Sequence, residues 1–166
     1  DYIVTINERM KRGFEKNTTH PKIEKLYNFM GLENIVEKSE VEIAEDFRYI
    51  LSVGSLTENK NQSLLIDVFS ELKKEQNIPE KLVLIGEGKE RESLENKIKN
   101  LGMEKEIFLL GARLNPYNYI KRAELYIVTS KEEGFSLTTL EAMTLKTMVI
   151  ATKTDGTREI LGEDSK

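Results

Sequence analysis

"RYILSVGSLTENKNQSLLIDVFSELKKE", residues 48–75, decides the fold. It opens with a continuous apolar run too short for a helix. It breaks at Gly54 and resumes with Leu64, Leu65, Val68, Phe69 and Leu72 at helical spacing. A strand without polar alternation is buried on both faces, and that is the habit of parallel sheets. Gly54 lets the backbone turn tightly and approach a ligand. The stretch therefore predicts a buried strand, a turn and a covering helix.

The same unit recurs downstream. "KLVLIGEG" leads to "ERESLENKIKNLG", a helix closed by Gly102. "EIFLLGA" leads to "NPYNYIKR", with Pro116 in the first turn, and "AELYIVTS" leads to "SLTTLEAMTLK". "MVIAT" leads to "TREIL". The alternation predicts an α/β fold, a doubly wound, Rossmann-like parallel sheet with helices on both faces. Such sheets bind ligands beyond the carboxyl ends of their strands, so the loops after Val53, Ile85, Leu110, Thr129 and Thr152 carry the interest. Upstream, "YIVTI" reads as a strand followed by a helix to about Lys16, "KIEKLYNF" as a weaker strand, and residues 31–46 as a charged connector.

The 166 residues, 39% hydrophobic and 33% charged, suffice for one packed domain of ordinary size. A net charge of −4 argues against nucleic acid and anionic membrane surfaces as partners, while 25 Lys and Arg leave room for a local cationic pocket. The absence of cysteine excludes disulfides, thiolate nucleophiles and Cys-ligated zinc, and leans towards the cytoplasm. No apolar run approaches the roughly 20 residues of a membrane span. The start is not a signal peptide, because its apolar core is too short. The chain opens with Asp1 inside a predicted strand, which suggests a piece of a longer protein.

Two turns have the chemistry of a site. In "GSLTENKN", Asn59 or Asn61 can cap the following helix, and Lys60 stands beside its N-terminus. Amides, helix dipole and ammonium together suit phosphate; the plainer alternative is a capped helix with an exposed lysine. In "SKEEGFSLTTLEAM", Ser136 is the expected N-cap of a helix, and Thr139 stands where a capping box needs an acid. Capping therefore explains neither Glu133 nor Glu141. Thr138 and Glu141 share a helix face, and Leu137, Leu140 and Thr144 form the expected buried stripe. A ligand here can meet Glu133, the amides of Ser136 and Leu137, the Thr138 hydroxyl and Glu141. Carboxylates that accept from hydroxyls point to sugars; acids on a solvated face are the alternative. "GEGKER" lacks the third glycine of a dinucleotide fingerprint and reads as a tight turn. No Asp-x-Asp and no metal-ligand spacing occurs, so a metal-held diphosphate is not expected. His20 is the only histidine, and a Ser-His-Asp arrangement built on it is not expected.

These residues, taken together, resemble the C-terminal half of family-4 retaining glycosyltransferases of the GT-B fold. The resemblance covers about Tyr27 to Leu161. Its most specific element is the pair Glu133 and Glu141, with the seven residues "GFSLTTL" between them. "SVGSLTENKN", "LVLIGEG", "IFLLGA", "AELYIVTSKEEGFSLTTLEAM" and "VIATKTDGTREIL" follow in family order.

The resemblance implies a donor-binding domain that receives a nucleoside-diphosphate sugar without a metal or other cofactor. By it, Glu133 lies near the donor sugar as the catalytic carboxylate, and Glu141 binds the ribose. The backbone of Phe135, Ser136 and Leu137, with Thr138 nearby, lines sugar and diphosphate. Lys60 meets the diphosphate beside Gly54, and the backbone of Leu109 and Leu110 reads the base. It implies that residues 1–30 are the end of an acceptor domain plus the crossover, with Asn28 at a usual asparagine, that 31–46 are the connector, and that 47–166 are a nucleotide-sugar domain cut short. The partner would be the missing acceptor domain, the pathway cell-surface glycan or glycolipid synthesis, and the place the cytoplasm, at the inner membrane face through the missing half. An epimerase or phosphorylase of related fold, or a nucleotide-binding module without chemistry, are the alternatives. Three positions depart from the family: Ser55 stands where an arginine is usual, Ser136 where glycine is commoner, and Asp155–Gly156 where a glycine pair is frequent.

Overall fold

The computed structural model describes residues 2–20, 22–27 and 31–162, so Asn28 lies outside the described residues. Two βαβ-type layers emerge. The first is small: β1 (Ile3–Thr5), α1 (Glu8–Asn17) and β2 (Ile23–Lys25), with β1 and β2 parallel. The second is the main sheet. Its elements are β3 (Tyr49–Val53), α3 (Gln62–Gln76), β4 (Lys81–Ile85), α4 (Arg91–Asn100), β5 (Ile107–Gly111), α5 (Tyr117–Arg122), β6 (Leu125–Val128), α6 (Leu137–Thr144), β7 (Val149–Ala151) and α7 (Asp155–Leu161).

The five strands are all parallel and lie in the order β5-β4-β3-β6-β7. The chain winds outward from β3 in one direction, returns, and winds outward through β6 in the other. The reversal opens a crevice at the carboxyl ends of β3 and β6, where doubly wound sheets receive ligands. Lys60 lies on the loop after β3 and Glu133 on the loop after β6, one on each side of that crevice.

The central strands β3 and β4 bury both faces, as their unbroken apolar runs predict, whereas the edge strand β7 leaves Ile150 exposed. Ile50, Leu82, Leu84 and Ile107 face Leu65, Ile66 and Phe69 of α3 and Leu94 and Ile98 of α4. Tyr49, Leu51, Val83, Ile85, Tyr126 and Val128 face Tyr119 and Ile120 of α5 and Ala142 of α6. A fully buried side chain of this size contributes about 1.5–3 kcal/mol relative to exposure, so the sheet is the rigid part of the molecule. The carboxyl ends of β3 and β4 nearly touch. Gly86 has φ +151°, and a Cβ there would lie 1.9 Å from the Gly54 carbonyl oxygen, so only glycine fits.

The structure revises several expectations. The buried face of α3 is Gln62, Leu65, Ile66, Phe69 and Ser70, while Leu64 and Val68 are exposed. On α6 the buried positions are Thr139 and Ala142; Leu137, Leu140 and Thr144 are only half-buried. Pro116 is the N-cap of α5 rather than part of its first turn. The connector contains a helix, α2 (Leu32–Ser39), which buries Ile35 and packs on α5 and α6. Arg122 of α5 holds the end of α2 by donating to the carbonyls of Ser39 and Val41. Among the described residues, no helix is long and apolar enough to cross a membrane.

Candidate functional site

Lys60 and Glu133 form an ion pair across the crevice between β3 and β6. Ser130 also donates to Glu133 Oε1, at 2.8 Å. The Glu133 side chain is only 10% exposed, so the pair has little water to compete with it. The stem of Lys60 crosses Gly54, where a Cβ would meet it at an ordinary 3.7 Å. The tight turn expected of Gly54 is therefore not what fixes its identity, because a side chain would fit there.

The backbone around Glu133 is held from two directions. The Gly156 amide donates to the Glu133 carbonyl at 2.7 Å. A Cβ on Gly156 would lie 2.8 Å from both that oxygen and the Phe135 nitrogen, so α7 reaches this turn only because residue 156 has no side chain. From the other side, buried Asn7 donates through Nδ2 to the Gly134 carbonyl at 2.6 Å. Asn7 Oδ1 meanwhile accepts from the Met10 amide and caps α1.

Capping follows a different pattern from the one expected. Neither Asn59 nor Asn61 uses its side chain as a cap. Asn61 sits at the N-cap of α3 in the left-handed region, and Asn59 instead exchanges hydrogen bonds with the Glu132 backbone, joining the two loops of the crevice. Ser136 is the N-cap of α6, as expected, but its hydroxyl accepts from Thr139 and no side chain caps the helix. Phe135 turns its ring onto Tyr27, with centroids 5.4 Å apart. Thr138 lines a small polar recess with Lys60, Gln62, Ser130 and Glu133.

Glu141 lies one turn further along α6 and is half-buried. Burial pushes its carboxyl above the usual carboxylate range, and a hydrogen bond with the Tyr117 hydroxyl offsets this in part. It has no cation partner among the described residues. Leu109 and Leu110 are half-buried at the carboxyl end of the edge strand β5, with the Arg91 guanidinium beside the Leu109 carbonyl. The structure thus brings Lys60, Glu133, Ser136 and Thr138 together, sets Glu141 beside them, and leaves Leu109 and Leu110 two strands out from β3 on the same sheet edge. The carbonyl of Ser55 accepts from buried Gln62 at 3.0 Å, and Gln62 Oε1 has no partner among the described residues.

Asn7, Ser130, Tyr117 and Gln62 complete the site without having been singled out for it in the sequence, and Gly156, noted there only in the departure from a glycine pair, supports it. Asn7, directly before a helical pattern, carries an N-cap signal; its bond to Gly134 has none, because it spans 127 residues. Beyond the small recess, an open cleft of about 640 Å³ lies between α1 and the loops after β6 and β7.

The model of the family described as "Glycosyl transferases group 1" matches residues 34–166. The chain belongs to that family. It is 40% identical over 144 residues to the N-acetylgalactosamine-N,N'-diacetylbacillosaminyl-diphospho-undecaprenol 4-alpha-N-acetylgalactosaminyltransferase of Campylobacter jejuni, covering 86% of this chain and 38% of that protein. It is 33% identical over 172 residues to an uncharacterized glycosyltransferase of Methanocaldococcus jannaschii, covering 97% of this chain and 42% of that one. The chain thus spans about two fifths of the length of these curated relatives. Among solved structures, Anabaena HepE in complex with UDP and glucose superimposes with a TM-score of 0.81 at 19% identity, over 98% of this chain and 47% of that one. The pneumococcal O-GlcNAc transferase GtfA in complex with UDP and GlcNAc gives 0.79 at 23% identity, over 99% and 32%. The likeness to these structures establishes the fold. The five-stranded unit of this group 1 glycosyltransferase chain is a Rossmann-like domain of the GT-B type.

Proposed function

We propose that the chain is the donor-binding, C-terminal half of a family-4 retaining glycosyltransferase that takes a UDP-sugar without a metal ion. The observation that carries the reading is the Lys60–Glu133 pair at the sheet's switch point, beside the uncapped start of α6. An ammonium and free helix amides suit the diphosphate. Glu141, half-buried and without a cation partner among the described residues, suits the paired hydroxyls of ribose. Leu109 and Leu110 lie two strand spacings, about 10 Å, out from β3, where the base would end. The UDP seen in the structural neighbours and the transferase names of the relatives support the same reading.

In the transfer, the bond from the anomeric carbon to the diphosphate oxygen breaks, and its electron pair leaves with the diphosphate. The acceptor oxygen bonds to that carbon from the same face. The acceptor's proton passes to the departing diphosphate. Lys60 and the α6 amides stabilise the charge that develops on the diphosphate, and Glu133 the positive charge at the carbon. The acceptor itself would meet a second domain, in cell-surface glycan or glycolipid synthesis at the inner face of the membrane. Calorimetry with UDP, GDP and ADP in excess EDTA tests the reading. UDP binding that survives the chelator is expected; binding that requires a divalent ion, or no nucleotide binding at all, overturns it.

A further inference from the structure

The open cleft beside Glu133 is cationic in a particular way. Four cations, Arg9, Lys131, Lys153 and Arg158, and three acids, Glu132, Glu133 and Asp155, line it. Most of these charges are already satisfied. Arg9 grips Asp155 with contacts of 2.8 and 2.9 Å. Lys131 pairs with Glu58 at 2.7 Å, and Glu133 with Lys60. Lys153 and Arg158, and opposite in sign Glu132, are left exposed with no ion-pair or hydrogen-bond partner for their side chains among the described residues, so the unpaired charge of the cleft is two cations against one acid.

The backbone that carries these two cations is fixed. Thr152 Oγ1 donates to the Ser130 carbonyl at 2.6 Å, which ties the loop after β7 to the loop after β6. Thr157 Oγ1 donates to the Thr152 carbonyl at 2.6 Å, and Thr154 and Thr157 cap each other, both buried. Lys153 and Arg158 thus project from a braced loop and a braced first turn onto a cleft whose inner end is Glu133. An arginine fork and an ammonium on one wall match the oxygens of a phosphate, and cleft walls focus their field.

We propose that this cleft holds a second ligand, an acceptor that carries a phosphate or diphosphate group, gripped by Lys153 and Arg158. The word acceptor rests on the donor reading above; the binding of the anion does not. The donor diphosphate is assigned to Lys60 and α6, on the other side of Glu133, so the two anions flank one carboxylate without sharing a cation.

The test is calorimetry of pyrophosphate and of a short prenyl diphosphate, with and without saturating UDP. The result expected is pyrophosphate binding that persists with UDP present and weakens by about tenfold or more in Lys153→Ala/Arg158→Ala, as for loss of two charge-assisted contacts. UDP affinity stays as in the wild type, and both positions are exposed, so folding is not at stake. A prenyl diphosphate that binds more tightly than pyrophosphate identifies a lipid-borne group, and equal binding identifies a soluble phosphorylated acceptor. Pyrophosphate that UDP displaces, that ignores the double substitution, or that does not bind overturns the proposal. If UDP itself fails to bind, the donor reading falls, and the pyrophosphate comparison between wild type and double variant still decides the cleft.

Discussion

Lys60 and Glu133, separated by 73 residues of sequence, close on each other across the crevice of the sheet. Each is the other's principal counter-charge. Removing Lys60 strands a carboxylate that is 10% exposed. Lys60→Met should therefore destabilise the fold, and Glu133→Gln should restore part of the loss. Denaturation of the two single variants and the double variant should give a coupling of about 0.5–3 kcal/mol. Additive losses would show that the pair is not formed in solution.

The same pair makes binding and turnover respond differently to Glu133→Gln. The substitution frees Lys60, so UDP affinity should hold or rise. On the proposed reading, loss of a charge needed only in the transition state should lower kcat in the full-length protein. Unchanged turnover would remove Glu133 from the chemistry.

Glu141 gives a pH dependence with a definite sign. Burial raises its carboxyl above the ordinary value, so the folded state holds the proton more tightly than the unfolded chain. Its contribution to stability is fully present below the unfolded carboxylate range and is lost as pH rises through the raised folded value. Glu141→Gln should therefore melt at a higher temperature than wild type at pH 7, and the two should converge in acid. A difference that grows in acid would contradict the assignment. The more informative Glu141→Ala should weaken UDP by about 1–3 kcal/mol if the carboxylate holds the ribose.

Gly156→Ala should be costly for a small change. Its methyl would have to displace backbone atoms at 2.8 Å, pushing α7 from the Glu133–Phe135 turn. A stability loss of about 1–3 kcal/mol, with weakened UDP binding, is expected. Wild-type melting and affinity would show that α7 moves freely.

The sheet was legible because its central strands are buried on both faces and therefore read as unbroken apolar runs; all five strands fell where the sequence put them. The helices were legible as helices but not always in phase. In α3 the run Leu64, Leu65, Ile66 fits two adjacent stripes, and packing on β3 and β4 chose the one ending in Phe69 and Ser70. The segment of α2 looked like solvated charge because one buried apolar residue, Ile35, is too little pattern to detect. The turn with Glu133 was visible as an unexplained acid, whereas its supports, Asn7 and Gly156, depend on meetings between distant segments. Local sequence carries no record of these.

Asn7 on Gly134 is one of several links between residues 2–27 and the main domain. Arg9 on Asp155 is another, and Lys25 and Tyr27 both reach Glu159, at 2.9 and 2.7 Å. So many tethers make α1 a rider on the five-stranded body. The wall that α1 gives to the open cleft cannot swing like a lid without breaking them. A change of the cleft's width would therefore have to come from elsewhere than the seam between α1 and α7.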